Sequence, residues 1–202
     1  MNIDQFQNLT RRLVDRGGSR RSLLRLSAVL ALPGLRAISS RSARAAEVAD
    51  AQCPTGIYQG YGRNRLAQTF KAQHTGRLTR ATIHAYTPST SNTDDYLIEI
   101  RTTTRKGKPT KTVLASTQVE DIVRPPVGQT TEVNANFTPG ARVEKGKRYA
   151  LVITGVGGAL PILRSNKEAG CAGTLFDDDD LNNKFAKDTS TDIVFATFVT
   201  KS

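Results

Sequence analysis

The sequence predicts an all-β chain: a two-sheet antiparallel sandwich, jelly-roll-like, of about eight strands, behind a cleavable N-terminal segment. Three observations carry this. From residue 60 onward, apolar and polar residues alternate in short runs, with almost no recurrence at helical spacing. Gly, Pro, Asn and Asp separate these runs roughly every 10–15 residues. Two of the runs are apolar on both faces, as strands in the middle of a packed sheet are.

The strands follow in chain order. RLAQTF (65–70) comes first, then GRLTRATIHAY (76–86), which sends Ala81, Ile83 and Ala85 to one face and Arg80, Thr82 and His84 to the other. YLIEIRT (96–102) sets Tyr96, Ile98 and Ile100 against Glu99 and Arg101. TVLAST (112–117) and TTEVNANF (130–137) follow, the latter with Val133, Ala135 and Phe137 on its apolar face. RYALVIT (148–154), LPILR (160–164) and DIVFATFVT (192–200) complete the set; the first and last of these are the doubly apolar runs. Between them, RKGKPT (105–110) reads as a hairpin tip, with Gly107 supplying φ freedom. TPG (138–140) and EKG (144–146) bracket a bend. GVGGALP (155–161) is glycine-rich, but no helix follows to make it a phosphate loop.

The stretch before residue 46 has a different character. GGSRRSLLRLSAVLALPGL (17–35) puts Arg20 and Arg21 ahead of about ten apolar residues, and Ala43-Arg44-Ala45 follows. A bilayer span needs about 20 apolar residues, so no stable membrane anchor is expected here. Basic residues, a short apolar run and a small-residue cleavage site make up a secretory signal. Ser19-Arg20-Arg21-Ser22-Leu23-Leu24-Arg25 also resembles the twin-arginine (Tat) export pattern, with Leu23 and Arg25 in place of the commoner Phe and Lys. That resemblance implies the Tat export machinery as a partner of the precursor. We therefore read 1–45 as a Tat-type signal peptide, 46–59 as an extended N-terminal lead and 60–202 as the sandwich domain, destined for the periplasm, the cell surface or beyond.

This division changes the meaning of the charge. The chain is +11 overall, but residues 1–45 hold nine Arg and two Asp, leaving a net of only +4 for residues 46–202. Nucleic acid is not an expected partner once the leader is set aside. Both cysteines, Cys53 and Cys171, fall after the leader. In an oxidising compartment they read as one disulfide, the alternative being two free core thiols.

RLAQTF, GRLTRATI, the YLIEIRT…GKPT…VLAST hairpin, FTPGARVEKGKRYALVITG and the terminal DIVFATFV resemble a group of uncharacterised exported bacterial jelly-roll modules. They are similar in pattern to choice-of-anchor domains. These are core and turn positions, so the resemblance implies architecture and export, with no catalytic residue to transfer.

Chemistry is sparse. His74 and His84 read as solvated residues, and no metalloprotease, nucleophile-elbow or Cys-x-x-Cys motif is present. FDDDDLNN places Asp177, Asp178, Asp179 and Asp180 side by side, either as a solvated loop or as Ca²⁺ ligands, although the spacing is not that of an EF-hand. Arg101, Arg105, Lys106, Lys108 and Lys111 lie along one hairpin, either guarding an edge against strand addition or contacting an acidic polymer. Arg101 would meet Arg80 on one face if their strands were neighbours. Tyr58 and Tyr61 are the paired aromatics available for a binding lip; they could equally cap one end of the sandwich. The sequence thus predicts an exported, non-catalytic module that binds or builds outside the cell, with acidic glycans or cell-wall polymers as partners and no cofactor. A lyase- or glycosidase-type enzyme and a calcium-stabilised adhesion domain are the alternatives.

Overall fold

The computed structural model describes residues 46–202 apart from 54–57, 87–92, 124–125, 158–161, 167–170, 189–190 and 202, and omits the side chains of 58–62, 93, 162 and 164–166. Residues 1–45, read from the sequence as a Tat-type signal peptide with Arg20 and Arg21, lie outside the described residues.

Thirteen strands, and no helix among the described residues, form two antiparallel sheets. They are β1 (Glu47–Cys53), β2 (Tyr58–Gly62), β3 (Arg65–Lys71), β4 (Gly76–Tyr86), β5 (Thr93–Thr103), β6 (Pro109–Val123) and β7 (Thr130–Val143). Then come β8 (Arg148–Val156), β9 (Ile162–Asn166), β10 (Leu175–Asp177), β11 (Ala186–Asp188), β12 (Asp192–Ile193) and β13 (Phe195–Lys201). One sheet runs β1-β13-β4-β9-β12, with β7 also on β4 and β2 on β9; the other runs β11-β10-β3-β8-β5-β6. All eight predicted strands are present, but the last is divided at Val194 into β12, which pairs with β9, and β13, which pairs with β1 and β4. The stretch read as an N-terminal lead is itself paired: β1 lies along β13, joining Glu47 to Thr200 and Cys53 to Phe195. The TPG triplet is no turn. β7 continues through it to Val143, with a register shift against β4 and a cis Thr138–Pro139 bond, and the chain reverses at 144–147.

The predicted alternation sets the inter-sheet core. Leu66 and Phe70 of β3, Tyr96, Ile98 and Ile100 of β5, and Leu151 and Ile153 of β8 meet Ile83, Val133, Phe137, Phe195 and Val199 from the other sheet. The β8 residues of the opposite parity, Ala150 and Val152, are buried too, because the 175–186 segment folds back over that face. Phe176 and Phe185 pack there on Ala67, Ala150 and Val152. This covering explains why β8 is apolar on both sides. Small residues on the sheet leave room for two rings above it.

Two ties hold the sheets together besides apolar packing. Cys53 on β1 is disulfide-bonded to Cys171, 118 residues away, with Cα atoms 5.0 Å apart. An intramolecular disulfide accords with an oxidising compartment. Gln68, fully buried on β3, spans the interior: its amide nitrogen donates to Asp192 Oδ1 at 2.8 Å, and its oxygen accepts from Ile193 N at 3.0 Å. Near the disulfide, Gly173 touches β3 so closely that a Cβ there would stand 1.8 Å from the Thr69 carbonyl oxygen.

Candidate functional site

Three groups of polar residues stand apart from the core, and each tests a prediction made from the sequence. The first covers the outer face of the β3–β8–β5 sheet. Glu99 and Arg101 point outward from β5, as alternation requires, yet are only 7% and 6% exposed. Arg101 donates from Nε to Glu99 Oε2 at 3.1 Å and from Nη1 to Asn183 Oδ1 at 2.8 Å. Arg65 of β3 donates to Asp178 Oδ2 at 2.9 Å and to Thr154 Oγ1 at 3.1 Å. The loop above therefore clamps onto the sheet through two arginines. Arg101 accordingly belongs to this buried network and not to the hairpin surface on which the sequence placed it. It cannot share a face with Arg80, which lies in the other sheet.

The acidic run lies in the same loop, and its four carboxylates are divided among different partners. Asp178, 3% exposed, accepts from Asn182 N and Asn183 N as well as from Arg65. Asp177 and Asp179 face Arg63 at 3.7 and 3.4 Å. Asp179 also accepts from Asn64 N, and Asp180 accepts from Asn182 Nδ2 at 3.4 Å. Guanidinium and amide donors thus meet the oxygens that Ca²⁺ would require. Among the described residues, no three His, Cys, Asp or Glu side chains are grouped so as to hold a metal. Leu181 and Asn183 take left-handed backbone conformations (φ 56° and 63°), which lets the short loop turn back on itself.

The second group lies on the outer face of β1–β13–β4–β7. Arg80 donates twice to Glu47 Oε2 and once to Asn134 Oδ1, and its guanidinium carbon lies 3.6 Å from the centroid of the Phe198 ring. Asn134 in turn accepts from Thr82 and donates to Glu132. Partial burial works to raise the Glu47 pKa, but the Arg80 and Thr79 hydrogen bonds and the Arg80 charge together hold it below the ordinary glutamate value. Shallow clefts flank this ladder; one of them holds about 530 Å³ beside Glu47, Thr79, Asn136 and Thr138. His84 borders a neighbouring cleft together with Gln52 and Glu132. His74, read as solvated, instead sits with its Nδ1 3.2 Å from the buried Asp50 carboxylate, which also accepts the backbone N–H groups of Gln73 and His74.

The third group is basic. The β5–β6 turn forms as predicted: Gly107 (φ 85°) donates to Thr104 O, and Thr104 N donates to Lys108 O. Arg105, Lys106, Lys108 and Lys111 are exposed, with no carboxylate at ion-pair distance among the described residues. By contrast, Arg63, Arg65, Arg80 and Arg101 each face a carboxylate. Tyr58 and Tyr61 lie on β2, paired with Asn166 and Leu163 of β9; their side chains lie outside the described residues.

No family model matches the sequence, and no curated protein does. Among solved structures the chain is similar to a variant of the clostridial cysteine protease Cwp84 after propeptide cleavage, at 14% identity and a TM-score of 0.52. The match covers 76% of this chain and 40% of that one, so the chain spans less than half of that protein's length. At this identity the likeness is one of fold alone.

Proposed function

We propose that this chain is an exported, non-catalytic β-sandwich module that binds acidic glycans or cell-wall polymers at or beyond the cell surface. The observation that carries this reading is the division among its cations. Arg63, Arg65, Arg80 and Arg101 are each held by a carboxylate, whereas Arg105, Lys106, Lys108 and Lys111 project into solvent unneutralised. Unpaired exposed cations suit a charged ligand, which supplies the missing counter-charges. The buried ionisable groups support the same view. Asp178, Glu99 and Arg101 are engaged in fixing a loop to a sheet, a structural role.

The test is an array of anionic and neutral glycans and cell-wall polymers probed with the full chain at low and physiological salt. The reading expects retention of anionic polymers, weakened by salt and by Lys106→Gln with Lys108→Gln. Retention of neutral glycans alone would overturn it, as would release of shortened or unsaturated sugar products during incubation.

A further inference from the structure

The hairpin is only one corner of the basic surface. β3 ends, β4 begins, β5 turns into β6 and β7 turns into β8 at the same end of the sandwich, so three turns meet there. The 144–147 turn is bonded to the 72–75 turn: Ala72 N donates to Lys147 O, Gly146 N to Ala72 O, and Lys145 N to Thr75 Oγ1. It also abuts the β5–β6 hairpin. Thr103 Oγ1 donates to Arg148 O, and the Arg148 guanidinium lies 3.1 Å from where a Cβ on Gly107 would stand.

The charges on these turns are one-sided. Residues 71–77, 104–111 and 142–148 carry net charges of +2, +4 and +3, whereas residues 46–202 net only +4, so the rest of the domain is net negative. Glu144, the one acid in these three segments, pairs with Lys147 at 2.8 Å. Two like-charged pairs stand directly opposite across strands: Lys71 with Arg148 in one sheet, and Arg77 with Arg142 in the other. Like charges in that position destabilise a sheet. The chain has sixteen acidic residues after position 45, yet one alone falls within these segments. Solubility or edge protection would be served as well by mixed charges.

From this juxtaposition we infer that the three turns form one composite site for a linear polyanionic glycan, a carbohydrate chain bearing repeated carboxylate, sulfate or phosphate groups. This rests on the acidic-polymer reading and enlarges its site from one hairpin to both sheets. An extended chain crossing the end of the sandwich meets Arg105, Lys106 and Lys108 on one side and Arg148, Lys145 and Lys71 on the other. Each repeating anion releases condensed counter-ions as it is neutralised, so the number of engaged cations sets the steepness of the salt dependence.

The experiment measures that steepness for the full chain on heparin, polygalacturonate and a phosphorylated mannan between 50 and 200 mM salt. Three double variants are compared: Lys106→Gln with Lys108→Gln, Lys145→Gln with Arg148→Gln, and Lys184→Gln with Lys187→Gln. All carry the same leader and lose the same charge. The first two should each shrink the salt-driven fall in affinity by about 10-fold, the value for two lost contacts; the third should leave it unchanged. Thermal melts confirm folding, and Lys71→Gln with Lys145→Gln replaces the second pair if Arg148→Gln unfolds the chain. If only the Lys106/Lys108 pair matters, the composite site is wrong and the hairpin reading survives. If no polymer binds at 50 mM salt, both fail. Capture on phosphatidylglycerol vesicles without polymer binding would overturn the glycan as partner.

Discussion

Arg101 decides between a structural and a ligand-binding account of the β5 face. The proposed change is Arg101→Met, which keeps length and volume while removing the charge. In the folded protein the Arg101 and Glu99 side chains are 8% and 9% exposed, and Glu99 Oε2 receives two of the guanidinium's donors. Taking one partner from a buried ion pair leaves a desolvated carboxylate without its counter-charge, a loss of about 3–5 kcal/mol. A domain of this size holds about 5–15 kcal/mol in total, so roughly a fifth or more of its stability is at stake. The melting temperature should fall by about 6–20 °C, at 2–4 °C per kcal/mol for this chain length. Adding Glu99→Gln should return most of it, because the pair as a whole contributes little over a neutral replacement. Urea denaturation followed by circular dichroism reads all three proteins, with Arg105→Met as a surface control expected within about 0.5 kcal/mol of wild type. A cost under about 1 kcal/mol for Arg101→Met, together with lost polymer binding, would refute the assignment.

Other consequences are equally direct. Gly173→Ala drives a methyl group into the Thr69 carbonyl and should destabilise by about 1–3 kcal/mol or more, seen as a lowered urea midpoint. Reducing Cys53–Cys171 should remove at most about 4–5 kcal/mol and leave a folded domain by circular dichroism at 25 °C. Two acids should respond to pH with opposite signs. Glu47 is held below 4.5, so its contribution is present above pH 4.5 and is lost as pH falls through the lower folded value; Glu47→Gln should cost up to about 1 kcal/mol at pH 7 and nothing under acid. Burial, with Asp188 nearby, raises Asp192 above 3.8 against the Gln68 hydrogen bond, so stability declines as pH rises from about 3.8 through the raised value. Asp192→Asn keeps an acceptor for Gln68 and should flatten that decline in urea midpoints taken from about pH 3 to 7. Millimolar calcium should leave the melting temperature where a chelator leaves it, because Arg63 and Arg65 already face the Asp177–Asp179 carboxylates.

Much of the fold was legible because a strand's inward face follows from parity alone. Tyr96, Ile98 and Ile100, or Val133, Ala135 and Phe137, need no partner to be assigned to a core. The short pieces β10 and β11 were missed since three residues are too few for a period, β12 was read as one run with β13, and β1 was missed because EVADAQC alternates weakly. Parity also cannot say whether an outward face stays wet. Glu99 and Arg101 look like surface until the loop with Phe176 and Phe185 closes over that sheet. The sequence carried one signal of this covering: β8 is apolar on both sides. What it lacked was the identity of the cover, which depends on contacts between residues 67, 150, 176 and 185.

The same limit applies to charge, and there it bears on function. A residue count gives +4 for residues 46–202, a balance that suggests no special partner. Topology separates that total into a loop where acids hold Arg63 and Arg65, and an opposite end where three turns bring ten basic residues together with Glu144 as their one acid. What matters for an anion is local: the cations within its reach and those already satisfied. Arg101 lies four residues from Arg105, yet one is buried against Glu99 and the other is exposed. Lys145 and Arg148, some forty residues along the chain, extend the hairpin's basic surface instead. Sequence proximity grouped Arg101 with the hairpin; strand pairing replaces it with the 142–148 turn. An anionic polymer would recognise that regrouped surface, and the salt dependence of the Lys145/Arg148 variant measures whether it does.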